Sequence, residues 1–79
     1  MLDYKKISEQ NSIVEYEFYI EGDSSDIGHV SFDKESGIGS LHEENPSFSQ
    51  KRYGNKLIDS LEQQYANGSI KDTGTVMWY

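Results

Sequence analysis

The stretch SIVEYEFYI, residues 12–20, alternates two sets of side chains. One set is large and apolar: Val14, Tyr16, Phe18 and Ile20. The other set mixes apolar with charged side chains: Ile13, Glu15, Glu17 and Tyr19. A period of two residues is typical of a β-strand with one buried face. Because a one-residue slip would move every apolar side chain to the wrong side, the chain must build a sheet with one apolar and one mixed face.

The segments on either side of this strand are more polar. DYKKIS, residues 3–8, predicts a weaker strand in which Tyr4 and Ile7 are out of phase, so we expect a bulge or an irregular edge there. EGDSSD, residues 21–26, follows the central strand and predicts an acidic, solvated loop. This loop has oxygen ligands but lacks the twelve-residue spacing of a calcium-binding EF-hand.

A β-hairpin is predicted for IGHVSFDKESGIGSLHE, with its turn over residues 34–37. Gly37 suits the left-handed backbone conformation that this turn needs. The favoured register keeps the apolar side chains on one face. It pairs Asp33 with Ile38, Val30 with Leu41, Phe32 with Gly39 and His29 with His42.

An amphipathic helix is predicted for SFSQKRYGNKLIDSLEQQYANG. We expect Ser49 to be the N-cap, which would place Phe48 and Tyr53 in contact as a hydrophobic staple. The helix should run to about Asn67, and Gly68 suits the position that follows a helix C-terminus.

The final apolar run, TGTVMWY, predicts a strand over residues 73–79. The predicted fold is therefore α+β, in the order β-β-β-β-α-β, within a single compact domain of residues 1–79. An antiparallel meander is followed by one helix packed on one face of the sheet and by a C-terminal strand. The opposite face of the sheet has no second helix to cover it. The sequence leaves the position of the C-terminal strand in the sheet open.

The charge distribution limits the classes of partner. The formal net charge is −7, and it divides into −8 over residues 1–48 and +1 over residues 49–79. An acidic surface repels nucleic-acid phosphates, so we expect no direct binding to nucleic acid. The chain has no cysteine and no long apolar segment, and we expect a cytoplasmic protein with no membrane contact. Most of the acidic side chains would simply keep a small domain soluble.

Lys51 and Arg52 lie at the predicted start of the helix, where the helix dipole is positive. With the backbone amides around Tyr53 and Gly54, these cations would form a binding site for a phosphate or carboxylate. The alternative is that both cations are solvated and pair with acidic loops. Gly54 falls within the apolar arc of the helix, which indicates close packing against the sheet.

The segments GHVSFD and KRYGNKLIDSL resemble the central strand and the acyl-CoA-binding helix start of Gcn5-related acetyltransferases. Gly54 and Leu57 match the last glycine and the leucine of that motif. Arg52 stands where the family has its first loop glycine, and Ser49 where it has Gln or Arg. The resemblance covers only residues 27–79. It implies an acetyltransferase-like fragment that binds acyl-CoA or another phosphate-bearing ligand.

His29 and His42 form a second candidate site, because the hairpin register places them opposite one another. Cross-strand neighbours have Cβ atoms about 4.5–5.5 Å apart, so both rings could reach one metal ion. Glu15 or Glu17 on the same face would add a carboxylate ligand suited to zinc or iron. The alternative is two ordinary surface histidines. If the two rings titrate together, the pair would make a surface that is sensitive to pH near pH 6.

The uncovered sheet face is a candidate protein interface. It combines aromatic, aliphatic and methionine side chains with a charged rim, as interfaces do. The apolar members are Tyr19, Ile38, Met77 and Tyr79, and the charged members are Glu15 and Glu17. Scattered apolar side chains on a surface are also normal, so this composition alone does not establish an interface. The edge strands offer a second route to a partner by strand addition.

The favoured function is a small acidic interaction or regulatory module that binds another protein or a second copy of itself, without catalysis or a cofactor. One alternative is anionic-ligand binding at the helix start. Another is an acidic mimic of nucleic acid from a mobile element, which would need its carboxylates in one continuous stripe. The layout is similar to small uncharacterised proteins of low-GC Gram-positive bacteria and their mobile elements. That resemblance covers the whole chain and implies no activity.

Overall fold

A computed structural model of the protein describes residues 2–20, 23–42 and 47–76. It confirms the α+β architecture: five antiparallel strands form one sheet in the order β4-β3-β2-β1-β5, and one helix packs on it. The elements are β1 (Leu2–Gln10), β2 (Ile13–Ile20), β3 (Asp23–Asp33), β4 (Ile38–Leu41), α1 (Phe48–Ala66) and β5 (Thr73–Val76).

The C-terminal strand lies at the edge of the sheet opposite to β4. Strands β1 to β4 form the meander, and α1 then leads from the β4 edge to the β1 edge, where β5 adds. Leu2 pairs with Val76 and Tyr4 with Gly74. The strand with the strict apolar alternation, β2, therefore lies in the middle of the five.

Two tight turns connect the outer strands of the meander. At the β3–β4 turn Gly37 has φ +76°, and Asp33 pairs with Ile38, as the sequence indicated. The β1–β2 turn was not predicted: Asn11 and Ser12 both have positive φ, at 53° and 73°. Two consecutive left-handed residues match the right-handed twist of a hairpin, and Asn is among the residues that tolerate this conformation.

The bulge or irregular edge expected in the first strand is confirmed as an irregularity, because the β1–β2 register shifts between Lys6 and Ser8. The acidic loop is shorter than predicted. β3 already begins at Asp23, and its register against β2 shifts near Tyr19. Backbone pairing does not require apolar side chains, so a polar segment can enter a strand through an irregular pairing. Residues 21–22 lie outside the described part.

The helix begins two residues earlier than predicted. Ser47 is the N-cap: its Oγ accepts from the backbone N of Gln50 at 3.1 Å, and Gln50 Oε1 accepts from the backbone N of Ser47 at 2.9 Å. Such a capping box needs an acceptor three residues after the cap. Three residues after Ser49 stands Arg52, which only donates. The predicted staple is also wrong, because Phe48 is the first helical residue and is 79% exposed.

The core lies between the sheet and α1. Its buried members are Leu2, Tyr4, Val14, Tyr16, Phe18, Val30, Phe32, Leu57, Ile58 and Leu61. Three of its aromatic rings lie opposite a glycine of the next strand: Tyr4 with Gly74, Phe18 with Gly28, and Phe32 with Gly39. The closest fit is at Gly28, where an added Cβ would collide with Cζ of Phe18. Because glycine has no side chain, these three positions leave room on the sheet for large aromatic rings.

The link between α1 and β5 is held by a side chain that the sequence pattern did not single out, Gln64. Its Oε1 accepts from the backbone N of Lys71 at 3.0 Å, and its Nε2 donates to the hydroxyl of Tyr4 at 2.9 Å. The buried Tyr16 hydroxyl donates to the backbone O of Lys71 at 3.1 Å. The pKa of Tyr16 is raised to about 12, mainly because the side chain is buried.

Candidate protein-interaction face

The side of the sheet that faces away from α1 is called the open face here. Alternation along each strand places its members on that side. In the described part of the chain they are Asp3, Lys5, Ser8, Gln10, Ile13, Glu15, Glu17, Tyr19, Ile27, His29, Ser31, Asp33, Ile38, Ser40, His42, Thr73 and Thr75. None of them is fully buried. The mixed set of side chains seen in β2 therefore extends across the whole sheet.

Two carboxylates occupy the centre of the open face. Glu15 and Glu17 lie on the middle strand, with side chains 32% and 20% exposed. Glu17 Oε2 lies 3.8 Å from Nζ of Lys5 on β1. Glu15 Oε1 lies 3.2 Å from Nδ1 of His42, which reaches across β3. Both carboxylates are thus partly desolvated. Their neighbours that can carry positive charge are His42 for Glu15, and Lys5 together with the register partner His29 for Glu17.

Apolar side chains border this acidic centre. Tyr19 is half-buried beside Glu17, and Nζ of Lys5 lies 6.0 Å from its ring centroid. Ile38 is 64% exposed and pairs with Asp33, which pairs on its other side with Ile13. The structure thus brings Tyr19 and Ile38 onto the face with both glutamates, as the alternation indicated. Met77 and Tyr79 lie outside the described residues.

Ile13 belongs to this face although it was not among the predicted interface residues. It is 38% exposed at the end of β2. With Ser8, Gln10, Asn11 and Glu15 it lines a shallow concavity beside the β1–β2 turn. The alternation of β2 already contained the signal, because Ile13 is in phase with Tyr19. Ile13 is exposed because β2 begins there, directly after the β1–β2 turn.

The two histidines lie opposite one another as the hairpin register predicted, with the backbone N of His42 donating to the O of His29 at 2.9 Å. The His42 ring turns toward β2, where Nδ1 lies 3.2 Å from Glu15 Oε1 and also 3.2 Å from Ser31 Oγ. Among the described residues no three His, Cys, Asp or Glu side chains are grouped so that they could hold a metal ion. The His42 ring is therefore a neighbour of a carboxylate on the open face.

The cations at the helix start lie on the solvent side. Lys51 and Arg52 are exposed, Tyr53 is half-buried against the core, and Gly54 is buried. A Cβ at Gly54 would lie 2.6 Å from Cδ1 of Leu41, so this glycine allows close packing on the sheet. The earlier helix start places the amides of Tyr53 and Gly54 within the hydrogen-bonded helix. Anion binding at this end stays a prediction, and it would rest on the first-turn amides and the two cations.

The described carboxylates are divided between the open face, the sheet ends and the outer side of α1. At one sheet end Glu9 pairs with Lys34 at 2.9 Å and with Lys6 at 3.2 Å. Its hydrogen bond from Lys34 is the main cause that lowers the pKa of Glu9. Asp33 Oδ1 accepts from the backbone N of Glu35 at 2.8 Å, and this bond chiefly lowers the pKa of Asp33. The nucleic-acid mimic, which needs one continuous stripe, stays a prediction.

Comparison of the chain with protein-family models, with curated proteins and with solved structures found no match. Within the described residues, α1 is too polar to serve as a membrane-crossing helix.

Proposed function

We propose that this protein is a small binding module that acts on another protein through the open face, without catalysing a reaction itself. The observation that carries the proposal is the composition of the middle strand, which presents Ile13 and Tyr19 on either side of Glu15 and Glu17. Aromatic and aliphatic anchors beside partly desolvated polar groups are typical of interfaces. The described residues place no second layer over this face.

The dimensions of the molecule support the same function. The described part measures 30 × 28 × 17 Å, which corresponds to a thin, two-layer body. A face with the two longer dimensions offers roughly 800 Å², the area that each partner buries in an interface of standard size. A single partner could therefore cover the open face with a specific and stable contact.

The charge of the open face favours a different protein over a second copy of this chain. Its described residues include four carboxylates, on Asp3, Glu15, Glu17 and Asp33, against the one ammonium of Lys5. Two copies placed face to face would bring these like charges together, which opposes association. Self-association is therefore the less favoured of the two outcomes that the experiment distinguishes.

The test removes the apolar anchors of the open face and keeps the strands intact. The double variant Tyr19→Thr/Ile38→Thr retains residues that suit a β-strand. Phe48→Thr removes an exposed apolar side chain outside this face and serves as the control. A partner captured from an extract of the source cells should bind the double variant at least about tenfold more weakly, as expected for loss of interface anchors. Phe48→Thr should bind it like the unmodified protein.

A photo-reactive residue at Ile38 should cross-link to that partner, whereas one at Glu62, on the other side of the molecule, should not. Equal capture by the double variant and the unmodified protein would contradict the proposal. A cross-link between two copies of the chain at Ile38, together with a dimeric mass in solution, would replace the separate partner by a homodimer.

A further inference from the structure

We infer that the partner presents a basic segment whose guanidinium group binds between Glu15 and Glu17, and that protonation of His42 weakens this contact. The inference rests on the proposed function, because it names the chemistry of the partner for the same open face. It follows from the spacing of the two glutamates and from the position of the His42 ring.

The two glutamates are suitably spaced for one planar cation. Residues two apart on a strand project on the same side, about 6.5–7 Å apart. Both carboxylates are partly exposed, so a side chain that approaches from solvent can reach them. A guanidinium group carries five N–H donors in a flat fork, which lets it bond to two carboxylates at once. Tyr19, next along the strand, offers an aromatic surface for the stem of the same side chain.

Each glutamate already has neighbours that a partner cation would meet: Lys5 and His29 beside Glu17, and His42 beside Glu15. The separation of 3.8 Å between Lys5 Nζ and Glu17 indicates a loose ion pair, and Lys5 is exposed. Exposed pairs of this kind contribute little, so a partner cation can displace Lys5 at small cost. His42 is closer, at 3.2 Å from Glu15, and its charge depends on pH.

The surroundings of His42 explain how pH would act. Of the described groups, β3 places His29 and Ser31 beside it, and β2 places Glu15 and Glu17 on the same face. Histidine ordinarily gains its positive charge between pH 8 and pH 5. The ring already lies 3.2 Å from Glu15, and a charged His42 holds this carboxylate more strongly than a neutral ring does, so it competes with the partner's cation. With both histidines charged, the net charge of the described open face also rises from −3 to −1, which weakens its attraction for a cation.

The test uses a defined probe, tetra-arginine with blocked ends, at low ionic strength. When tetra-arginine is added, the backbone amide NMR signals that shift should belong mainly to residues of the open face. Binding should be about three- to fivefold tighter at about pH 7.5 than at about pH 5.5, the effect of one exposed ion pair. Glu15→Gln/Glu17→Gln should bind at least about tenfold more weakly. Asp59→Asn/Glu62→Gln removes the same charge from the exposed side of α1 and should weaken binding less than about twofold.

His42→Gln tests the regulatory step, because it keeps a polar side chain that cannot become charged. In this variant the affinity for tetra-arginine at about pH 7.5 should exceed the affinity at about pH 5.5 by less than about twofold. An unchanged ratio of the two affinities would overturn the role of His42. Equal weakening by the two double variants would show attraction to net charge only and would overturn the guanidinium site.

Failure of this inference and failure of the proposed function give different results. If tetra-arginine does not bind but the cellular partner still depends on Tyr19 and Ile38, the basic partner is wrong and the binding module stands. If neither the probe nor the cellular partner depends on the open face, both are wrong.

Discussion

The two faces of the sheet differ in how their side chains pack. On the face covered by α1, aromatic rings fill the space above glycines of neighbouring strands, as Phe18 does above Gly28. On the open face Glu17 and Tyr19 remain partly exposed. Lys5 contacts both of them, as an ion pair with Glu17 and as a cation over the Tyr19 ring. The same strand thus contributes shape complementarity on one side and adaptable polar contacts on the other. The covered face holds the apolar core, and the open face is the one that we propose binds a partner.

The largest expected effect is on the covered face. Gly28→Ala would push a methyl group into the Phe18 ring, and overpacking of this kind should lower the free energy of unfolding by about 3 kcal/mol. Ser31→Ala, on the same strand but on the open face, should change it by less than about 0.5 kcal/mol. Urea denaturation measures both.

A Phe18→Leu background identifies the cause of the Gly28→Ala effect. The smaller leucine side chain should reduce the destabilisation by Gly28→Ala by at least about 1 kcal/mol, because the effects of substitutions at residues in contact are not additive. If Ser31→Ala and Gly28→Ala have similar costs, the two faces do not differ in packing as described.

The second expected effect is alkaline destabilisation through Tyr16, the buried tyrosine of β2. Its folded pKa of about 12 lies above the value of 10.0 for an unperturbed tyrosine. The stabilisation is therefore fully present below pH 10 and is lost as pH rises from about 10 to 12, by up to about 2 kcal/mol. Unfolding by urea at a series of pH values measures this loss.

Tyr16→Phe should remove that part of the alkaline loss, at a cost of about 1 kcal/mol at neutral pH for the hydrogen bond to Lys71. Tyr19→Phe, the matched change on the open face, should retain the full alkaline loss. If the free energy of unfolding falls with rising pH equally in Tyr16→Phe and Tyr19→Phe, another group causes the destabilisation.

The smallest expected effect concerns the start of the helix that makes the two faces different. Ser47→Ala removes the N-cap and should cost about 1 kcal/mol. Ser49→Ala, at the N-cap expected from the sequence, should cost no more than a few tenths of a kcal/mol, since alanine favours a helix. Thermal unfolding of the two variants compares them directly. A larger effect at Ser49 would favour the later helix start.

Much of the fold follows from local patterns. The alternation in β2, the register closed by Gly37 and the apolar arc around Gly54 each depend on residues close in sequence, and each matches the structure. The pattern also indicated which glutamates and which tyrosine share the open face. Local patterns suffice for these features because strand period, turn conformation and helix period are short-range properties of the backbone.

The remaining features depend on contacts between distant residues. Two serines could cap the helix, and Ser47 is the N-cap because Gln50 completes the capping box and also donates to the backbone O of Ile27 at 3.3 Å. The role of Gln64 needs Lys71 and the Tyr4 hydroxyl, sixty residues earlier in the chain.

The sequence by itself determined the number of strands, the helix and the division of the sheet into an apolar and a mixed face. Only the tertiary structure decided that β5 joins β1, that the helix begins at Phe48 and that His42 reaches Glu15. The physical reason is the range of the interactions. Periodic burial is set by the backbone within a few residues, whereas edge pairing and side-chain hydrogen bonds need partners that only the folded chain brings together.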